Sequence, residues 1–457
     1  MAIILPNSAM QDLKVTFQES TLVFPPQLEP TEKKSIFLSN IDQILNYRIP
    51  TANFFSANPK FPPESVAKRL KTALEKVLVL FDFMAGRLKL NQESGRLEIE
   101  CNSAGAGFVV ASSEYSLQEI GDLGRPNLGF QQLAVHSLKN LVPSSPHDND
   151  DQPLCIFQVT SFKCGGFAFG MSVNHILHDG ISAKTFKDIL ASQAFDEDKP
   201  FPFTPCLDRR LLAARSPPTV EYSHPEFFKP QLPVSGPPVF DCQPETLDYT
   251  IFKFTPNDIT HLKQKAAAAA KDTTKKISTF DVVVALIWRC KALSHTAAPE
   301  HGKEEPDHRV STLLNVVDLR SRLKDPPLPL PYCGNAVLVA YSSAKCGDIE
   351  RGPFSNMVEM VSAAPARVTS EYARSVVDWL EIHKGLPCGE YMVSSWLRLG
   401  FDEVAYPWGK PLYSCPVVSH RKDICWVFPD SHGINALVSL PSPEMDKFKS
   451  LFQSFFV

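Results

Sequence analysis

The sequence predicts an α/β protein built as two similar mixed-sheet sandwiches, and three observations carry that prediction. With 457 residues, 44% of them hydrophobic and 21% charged, the chain is long enough for two domains and apolar enough for a large core. β-rich and helical runs follow one another in mixed order, and the second half resembles the first, which disfavours a doubly wound parallel sheet. Eleven prolines between Lys199 and Glu245 supply neither strand donors nor helix interior, so this stretch reads as an ordered crossover. The predicted division is an N-terminal domain over 1–198, the crossover over 199–248 and a C-terminal domain over 249–457.

Each element has a local reason. Val15 to Phe24 alternates as a strand and stops at Pro25-Pro26. After Pro62-Pro63, residues Val66, Leu70, Ala73, Leu74, Val77, Leu78 and Phe81 recur at the helical period, with Lys68, Arg69, Lys71, Glu75 and Lys76 on the opposite face. Asp82 to Val110 reads as strands with a turn near Ser94-Gly95, and Ser144 to Pro153 as a polar loop. Leu154 to Phe162 and Phe167 to Val173 form a predicted hairpin joined at Lys163-Cys164-Gly165-Gly166. Ser182 is the expected cap of a helix reaching Phe195, with Phe186, Ile189 and Leu190 inward.

In the second half, Tyr249 to Phe254 is a strand. Thr255-Pro256-Asn257-Asp258 then opens a helix through Ala266 to Ala270, with a cap, a proline at the first position and an acid three residues on. Lys275 to Asp281 leads in the same way into Val282 to Leu293, apolar almost all round and therefore buried. Strands at Val310 to Val317 and Ala336 to Tyr341 precede helices near Asn356 to Val368 and Ser375 to His383. Strands at Ile424 to Phe428 and Ile434 to Leu440 turn at Ser431-His432-Gly433, and a last helix follows Ser442-Pro443.

Composition narrows the function. A net charge of −4 without long like-charged runs leaves no footprint for nucleic acid or an anionic membrane, so a small-molecule partner is expected. The start, Met1-Ala2-Ile3-Ile4-Leu5-Pro6-Asn7, lacks a secretory pattern, and no segment reaches the roughly 18 apolar residues of a membrane span, so the expectation is cytoplasmic. The 11 cysteines are scattered, with no Cys-x-x-Cys pair and no Cys/His cluster at zinc spacing, and read as reduced thiols rather than metal ligands.

Chemistry points to Ser172-Val173-Asn174-His175-Ile176-Leu177-His178-Asp179-Gly180-Ile181-Ser182. A hydrophobic strand delivers an imidazole to a turn, with a carboxylate four residues later and Gly180 closing the turn. An imidazole of pKa near about 6.5 is matched to general-base work at neutral pH. His175 has the spacing to Asp179, and His178 in the same loop is the other candidate base. No Gly-x-Ser-x-Gly elbow or Gly-rich phosphate loop is present, which disfavours a covalent serine route. Cys164, beside the hairpin turn, reads as a core thiol.

Further markers recur along nearly the whole chain: Leu38-Ser39-Asn40-Ile41-Asp42, Ala85-Gly86-Arg87-Leu88, Ile287-Trp288-Arg289-Cys290, Asp318-Leu319-Arg320-Ser321-Arg322 and Tyr332-Cys333-Gly334-Asn335. Taken in this order with His175 to Gly180, the sequence resembles the BAHD acyltransferases, a plant family of acyl-CoA-dependent O- and N-acyltransferases. The resemblance implies two chloramphenicol-acetyltransferase-like domains with a channel between them and part of 385–415 crossing to the N-terminal sheet. It also implies a monomer with no bound cofactor, acyl-CoA as co-substrate entering one face and a small-molecule acceptor the other.

By the same resemblance, His175 transfers the proton, and Asp179 turns outward to pair with Arg320. Ser394 supplies a hydroxyl to the developing oxyanion, and Trp396 is a pocket wall or simply packed strand. Asn174 stands where the related condensation domains of peptide synthetases have a second histidine, which argues against that branch. Lys275, Lys276, Ser278 and Thr279, at a helix start, are candidates for coenzyme A phosphates; a solvated basic loop and a plain N-cap explain them equally well.

One marker departs from the family. Its Asp-Phe-Gly-Trp-Gly-Lys-Pro is here Ala405-Tyr406-Pro407-Trp408-Gly409-Lys410-Pro411. The acid is lost from a loop the family uses structurally, Trp408 and Gly409 are kept, and Glu403 is a partial substitute. This form, with Tyr391-Met392-Val393-Ser394-Ser395-Trp396, is similar to a subgroup linked with brassinosteroid inactivation. The expected reaction is acyl transfer from a CoA thioester to a hydroxyl of a plant specialised metabolite, lipid or hormone. Transfer to an amine stays open. So does a catalytically silent accessory protein of fatty-acid elongation, which the altered Ala405 loop motivates and the intact His175 motif speaks against.

Overall fold

Two large mixed sheets organise the chain. The computed structural model describes residues 3–10, 12–26, 34–141, 151–196, 199–230, 246–268, 276–295, 306–418, 421–431 and 433–456. One sheet has seven described strands, in the order Ile3–Pro6, Asp248–Phe254, Gly433–Leu440, Ile424–Asp430, Tyr391–Ser395, Val310–Asp318 and Val337–Lys345. The other has six, in the order Tyr413–Pro416, Arg48–Phe55, Phe167–Asn174, Cys155–Ser161, Ala106–Ser113 and Val15–Val23. Pairing is antiparallel except between Ala106–Ser113 and Cys155–Ser161 and on both sides of Tyr391–Ser395.

Both sheets are buried on both faces, and the period of two shows how. In Asp248–Phe254, Tyr249 and Ile251 point to one core and Phe252 and Phe254 to another. In the other sheet, Ala52, Phe54 and Ala168 join Tyr249 and Ile251, whereas Phe55, Phe167 and Phe169 face away. The two sheets therefore pack face to face through a shared inner core and are covered by helices outside.

Helix Pro63–Leu80 starts on a proline, whose missing N–H costs nothing there, and buries Val66, Leu70, Ala73, Leu74, Val77 and Leu78. It packs beside helix Gly180–Phe195 over the six-stranded sheet. Helix Thr279–Ser294 is capped by Ser278, whose hydroxyl accepts from the Asp281 N–H at 3.0 Å, and is buried nearly all round beneath the seven-stranded sheet. Each large apolar side chain so buried contributes roughly 1.5–3 kcal/mol relative to exposure.

Several expectations are corrected. Asp179, not Ser182, caps the helix after the motif: its extended backbone lets Oδ1 accept from the Ser182 N–H at 3.0 Å. The Ser182 hydroxyl instead donates to the Gly334 carbonyl at 3.0 Å. Helix Phe354–Ala363 ends early, tightening into a 3₁₀ turn at Ala364–Arg367, and the next helix begins at Ser370 under a Thr369 cap. Cys164 is exposed rather than a core thiol.

The chain also does not divide at a single point. Ile3–Pro6 pairs with Asp248–Phe254, and Tyr413–Pro416 pairs with Arg48–Phe55, so each sheet takes a strand from the distant end of the sequence. Lys275, most of the expected loop at 144–153, residues 269–270 of the alanine run, His432 and the last part of the crossover lie outside the described residues.

Candidate active site

A cavity of about 250 Å³ lies between the two sheets and is mostly apolar. The six-stranded sheet contributes Ile49, Thr51, Met171 and Val173, and the seven-stranded sheet contributes Val316, Val339, Met392, Ile424 and Trp426. Three polar elements converge on it. Strand Phe167–Asn174 ends in the 3₁₀ turn His175–Leu177, helix Gly180–Phe195 presents Gly180, Ala183 and Lys187, and strand Tyr391–Ser395 presents Ser394. His175, Asp179, Ser394 and Trp396 thus line one cavity.

The orientation of His175 is fixed by Asn335. Asn335 Nδ2 lies 2.9 Å from Asp42 Oδ1 and 2.8 Å from the His175 carbonyl oxygen, both acceptors, so the amide nitrogen must face them. Its Oδ1 is then the atom 3.1 Å from His175 Nδ1. An amide oxygen only accepts, so Nδ1 carries the proton and Nε2 is left with the lone pair. The His175 N–H donates to the Tyr47 carbonyl at 2.7 Å, and the Tyr47 ring stands 5.5 Å from the imidazole. Burial holds the imidazole below its ordinary 6.5, against the upward pull of Asp179, Asn335 and Asp42. It is neutral at pH 7.

Asp179 makes no such contact with His175. Its Oδ2 accepts from Arg320 Nη1 at 2.8 Å and the Ala336 N–H at 3.0 Å, and its Oδ1 from Arg320 Nη2 at 3.0 Å and the Ser182 N–H. Burial alone would push this carboxyl up, but the Arg320 guanidinium and the N–H donors hold it below the usual carboxylate range. The ion pair ties the motif turn to the segment Tyr332 to Ala336, and so brings Asn335 beside His175. His178 is buried, stacks on Phe186, and is pushed down to about 4 by burial and then by His175.

Ser394 is half-buried on the wall formed by the seven-stranded sheet. Trp396 is a cavity wall braced edge-on by Phe401 at 5.2 Å and Trp426 at 5.4 Å between ring centroids. The basic helix start is not brought to this cavity. Lys276, Ser278 and Thr279 do not line it, Lys276 is exposed, and the Ser278 hydroxyl is used as a cap. Trp408 is buried in the core beneath the six-stranded sheet, whereas Gly409 closes a tight bridge with Tyr406 at φ +125. Ala405 and Glu403 are both exposed.

Asn335, Asp42 and Arg209 form the support that sequence reasoning missed. Asp42 is fully buried and bridges Arg209 Nη1 at 2.6 Å and Asn335, while its Oδ2 closes a capping box with Ser39. Arg209 also donates to the carbonyls of Ile176 and Leu177, clamping the turn behind His175 from inside the crossover. The signal for Asp42 and Asn335 was their place in the recurring markers; Arg209, in a proline-rich run, had none.

The comparisons agree with this geometry. A Transferase family profile matches residues 13–455. The chain is similar to Acyltransferase GLAUCE of Arabidopsis thaliana, at 50% identity over 452 residues, which cover 98% of this chain and 97% of that protein. It is also similar to Omega-hydroxypalmitate O-feruloyl transferase of Arabidopsis thaliana, at 32% identity over 451 residues, 96% of this chain and 93% of that one. The crystal structure of F. graminearum TRI101 complexed with coenzyme A and deoxynivalenol has the same fold, with a TM-score of 0.70 at 18% identity over 91% of this chain and 97% of that one. Two mixed α/β units around a histidine-bearing cavity and a family match over almost the entire length lead to one statement: the chain belongs to the Transferase family, the BAHD acyltransferases.

Proposed function

We propose that the protein moves an acyl group from a CoA thioester to a hydroxyl of a largely apolar small molecule, with His175 as general base. The carrying observation is the Asn335 amide, which holds Nδ1 protonated and leaves Nε2 as an acceptor in the cavity shared with Ser394. Nε2 takes the acceptor's hydroxyl proton as that oxygen attacks the thioester carbonyl carbon. The carbonyl oxygen becomes an oxyanion, toward which the Ser394 hydroxyl donates. The C–S bond then breaks, the imidazolium returns its proton to the thiolate, and an ester and free CoA leave without an acyl-enzyme.

General-base assistance of this kind is worth roughly 10²–10⁴-fold, and one oxyanion donor about 10²–10³-fold. The apolar walls favour a lipophilic acceptor, and a hydroxylated steroid or other bulky alcohol is the first to try. Among the described residues no helix is long and apolar enough to cross a membrane; independently of that, the resemblance to the family is the ground for proposing a cytoplasmic monomer. The test is a donor-by-acceptor screen that follows release of the CoA thiol. His175→Ala should abolish turnover while its circular dichroism and melting temperature stay those of a folded protein; substantial residual transfer by that variant overturns the assignment.

A further inference from the structure

Helix Gly180–Phe195 lays one face along the cavity: beside Ile181 at its start, Gly180, Ala183 and Lys187 line it. Their spacing of three and four places them on successive turns. Lys187 is 4% exposed, and its ammonium lies 4.2 Å from the centroid of the Phe401 ring, which itself leans on Trp396.

No described carboxylate pairs with Lys187. Asp188, its chain neighbour, is held by Lys184 through bonds of 2.7 and 2.6 Å. Asp179 and Asp318, the carboxylates that line the same cavity, are both bound by Arg320. A buried ammonium without a counter-charge is costly, and a single aromatic face offsets only part of that cost. Burial first, and Lys184 after it, push the amine down to about 7, against the upward pull of Asp188. A carboxylate docked beside it would draw the proton back.

We infer that Lys187 is the recognition point for an anionic oxygen, in the first place a carboxylate, carried by a substrate at its end remote from the transferred oxygen. The inference rests on the acyl-transfer reading for what the cavity holds, and it adds the polarity of the far end. Seven residues separate Lys187 from Gly180, which is about 10 Å along the helix axis. The ammonium itself lies beside Phe401 on the cavity wall. The carboxylate belongs to the acceptor or to the acyl group, and the two sources are separable by experiment.

On the acceptor side, 6-hydroxyhexanoate and 8-hydroxyoctanoate are each compared with their methyl esters against one neutral acyl-CoA. On the donor side, glutaryl-CoA is compared with pentanoyl-CoA against one neutral alcohol. The wild type should prefer the charged member on one of the two sides by about 10- to 100-fold in kcat/KM, the size of one charged hydrogen bond. Lys187→Met should bring that ratio near one, and Lys187→Arg should keep most of it. Ratios within one variant are insensitive to how much of it is folded.

Equilibrium binding of each acid and its ester by calorimetry, without any thioester, tests Lys187 separately from the chemistry. Charge-selective binding lost in Lys187→Met supports the inference even if no transfer is seen, in which case the acyl-transfer reading alone fails. Absence of charge preference on both sides in the wild type, or the same preference in Lys187→Met, overturns it.

Discussion

At the scale of single residues, the site depends on which nitrogen of His175 carries the proton. Asn335 decides this, and it also raises the imidazole's pKa by bonding to it, although burial keeps the net value below the ordinary 6.5. A base works only when neutral, so activity should rise with pH through that lowered pKa and level off above it. Asn335→Leu removes the acceptor and should move the acidic limb to still lower pH. It should also cost roughly 10²-fold in kcat/KM through misplacement of the ring. A pH–rate profile of the variant checks both, and an unmoved limb would count against the role of Asn335. His175, Asp179 and Arg320 were legible because a strand, a turn and a marker name them. The His175–Asn335 bond was not, since the partners are 160 residues apart and nothing in local spacing encodes a contact between a turn after one sheet's strand and the loop that leads into a strand of the other. Lys187 was hidden for another reason: a lysine on a helix reads as solvated, and only tertiary packing buries it.

At the scale of elements, the loop from Ala405 to Pro411 shows how a marker can lose its acid and keep its place. Tyr406 and Trp408 stack with centroids 5.1 Å apart, and Trp408 meets Phe55, Phe61 and Phe167 edge-on. Aromatic burial fixes the loop, and the exposed Ala405 has no part in it. Ala405→Asp should therefore change stability by less than about 0.5 kcal/mol, whereas Trp408→Ala should cost about 3–5 kcal/mol. Urea denaturation of the pair measures this, and a clear gain from the added aspartate would restore a structural role to the missing carboxylate. Helices with a proline at the start and a strong apolar period, such as Pro63–Leu80, were legible almost to the residue. The start of the motif helix was displaced because Asp179 and Ser182 are both good caps by type, and the backbone at Asp179 decides between them. Short strands such as Ile3–Pro6 and Tyr413–Pro416 carry too few residues to show a period at all.

At the scale of the whole molecule, the two sheets share an inner core of Phe54, Tyr249, Ile251, Phe428 and Leu437, and each borrows a strand from far along the chain. The α/β class and its two units could be read from the order of elements; the crossing of part of 385–415 to the N-terminal sheet was implied only by the family resemblance, and the pairing of Ile3–Pro6 with Asp248–Phe254, which depends on where the chain returns in space, had no signal. Unfolding by scanning calorimetry should show one cooperative transition, with calorimetric and van't Hoff enthalpies in agreement. Two resolved transitions would mean that the units hold independently. The exchanged strands carry a consequence for traffic through the site. Lobes laced to each other at both ends cannot gape like a clamshell hinged on one linker. Reactants must therefore reach His175 through a frame braced at both ends.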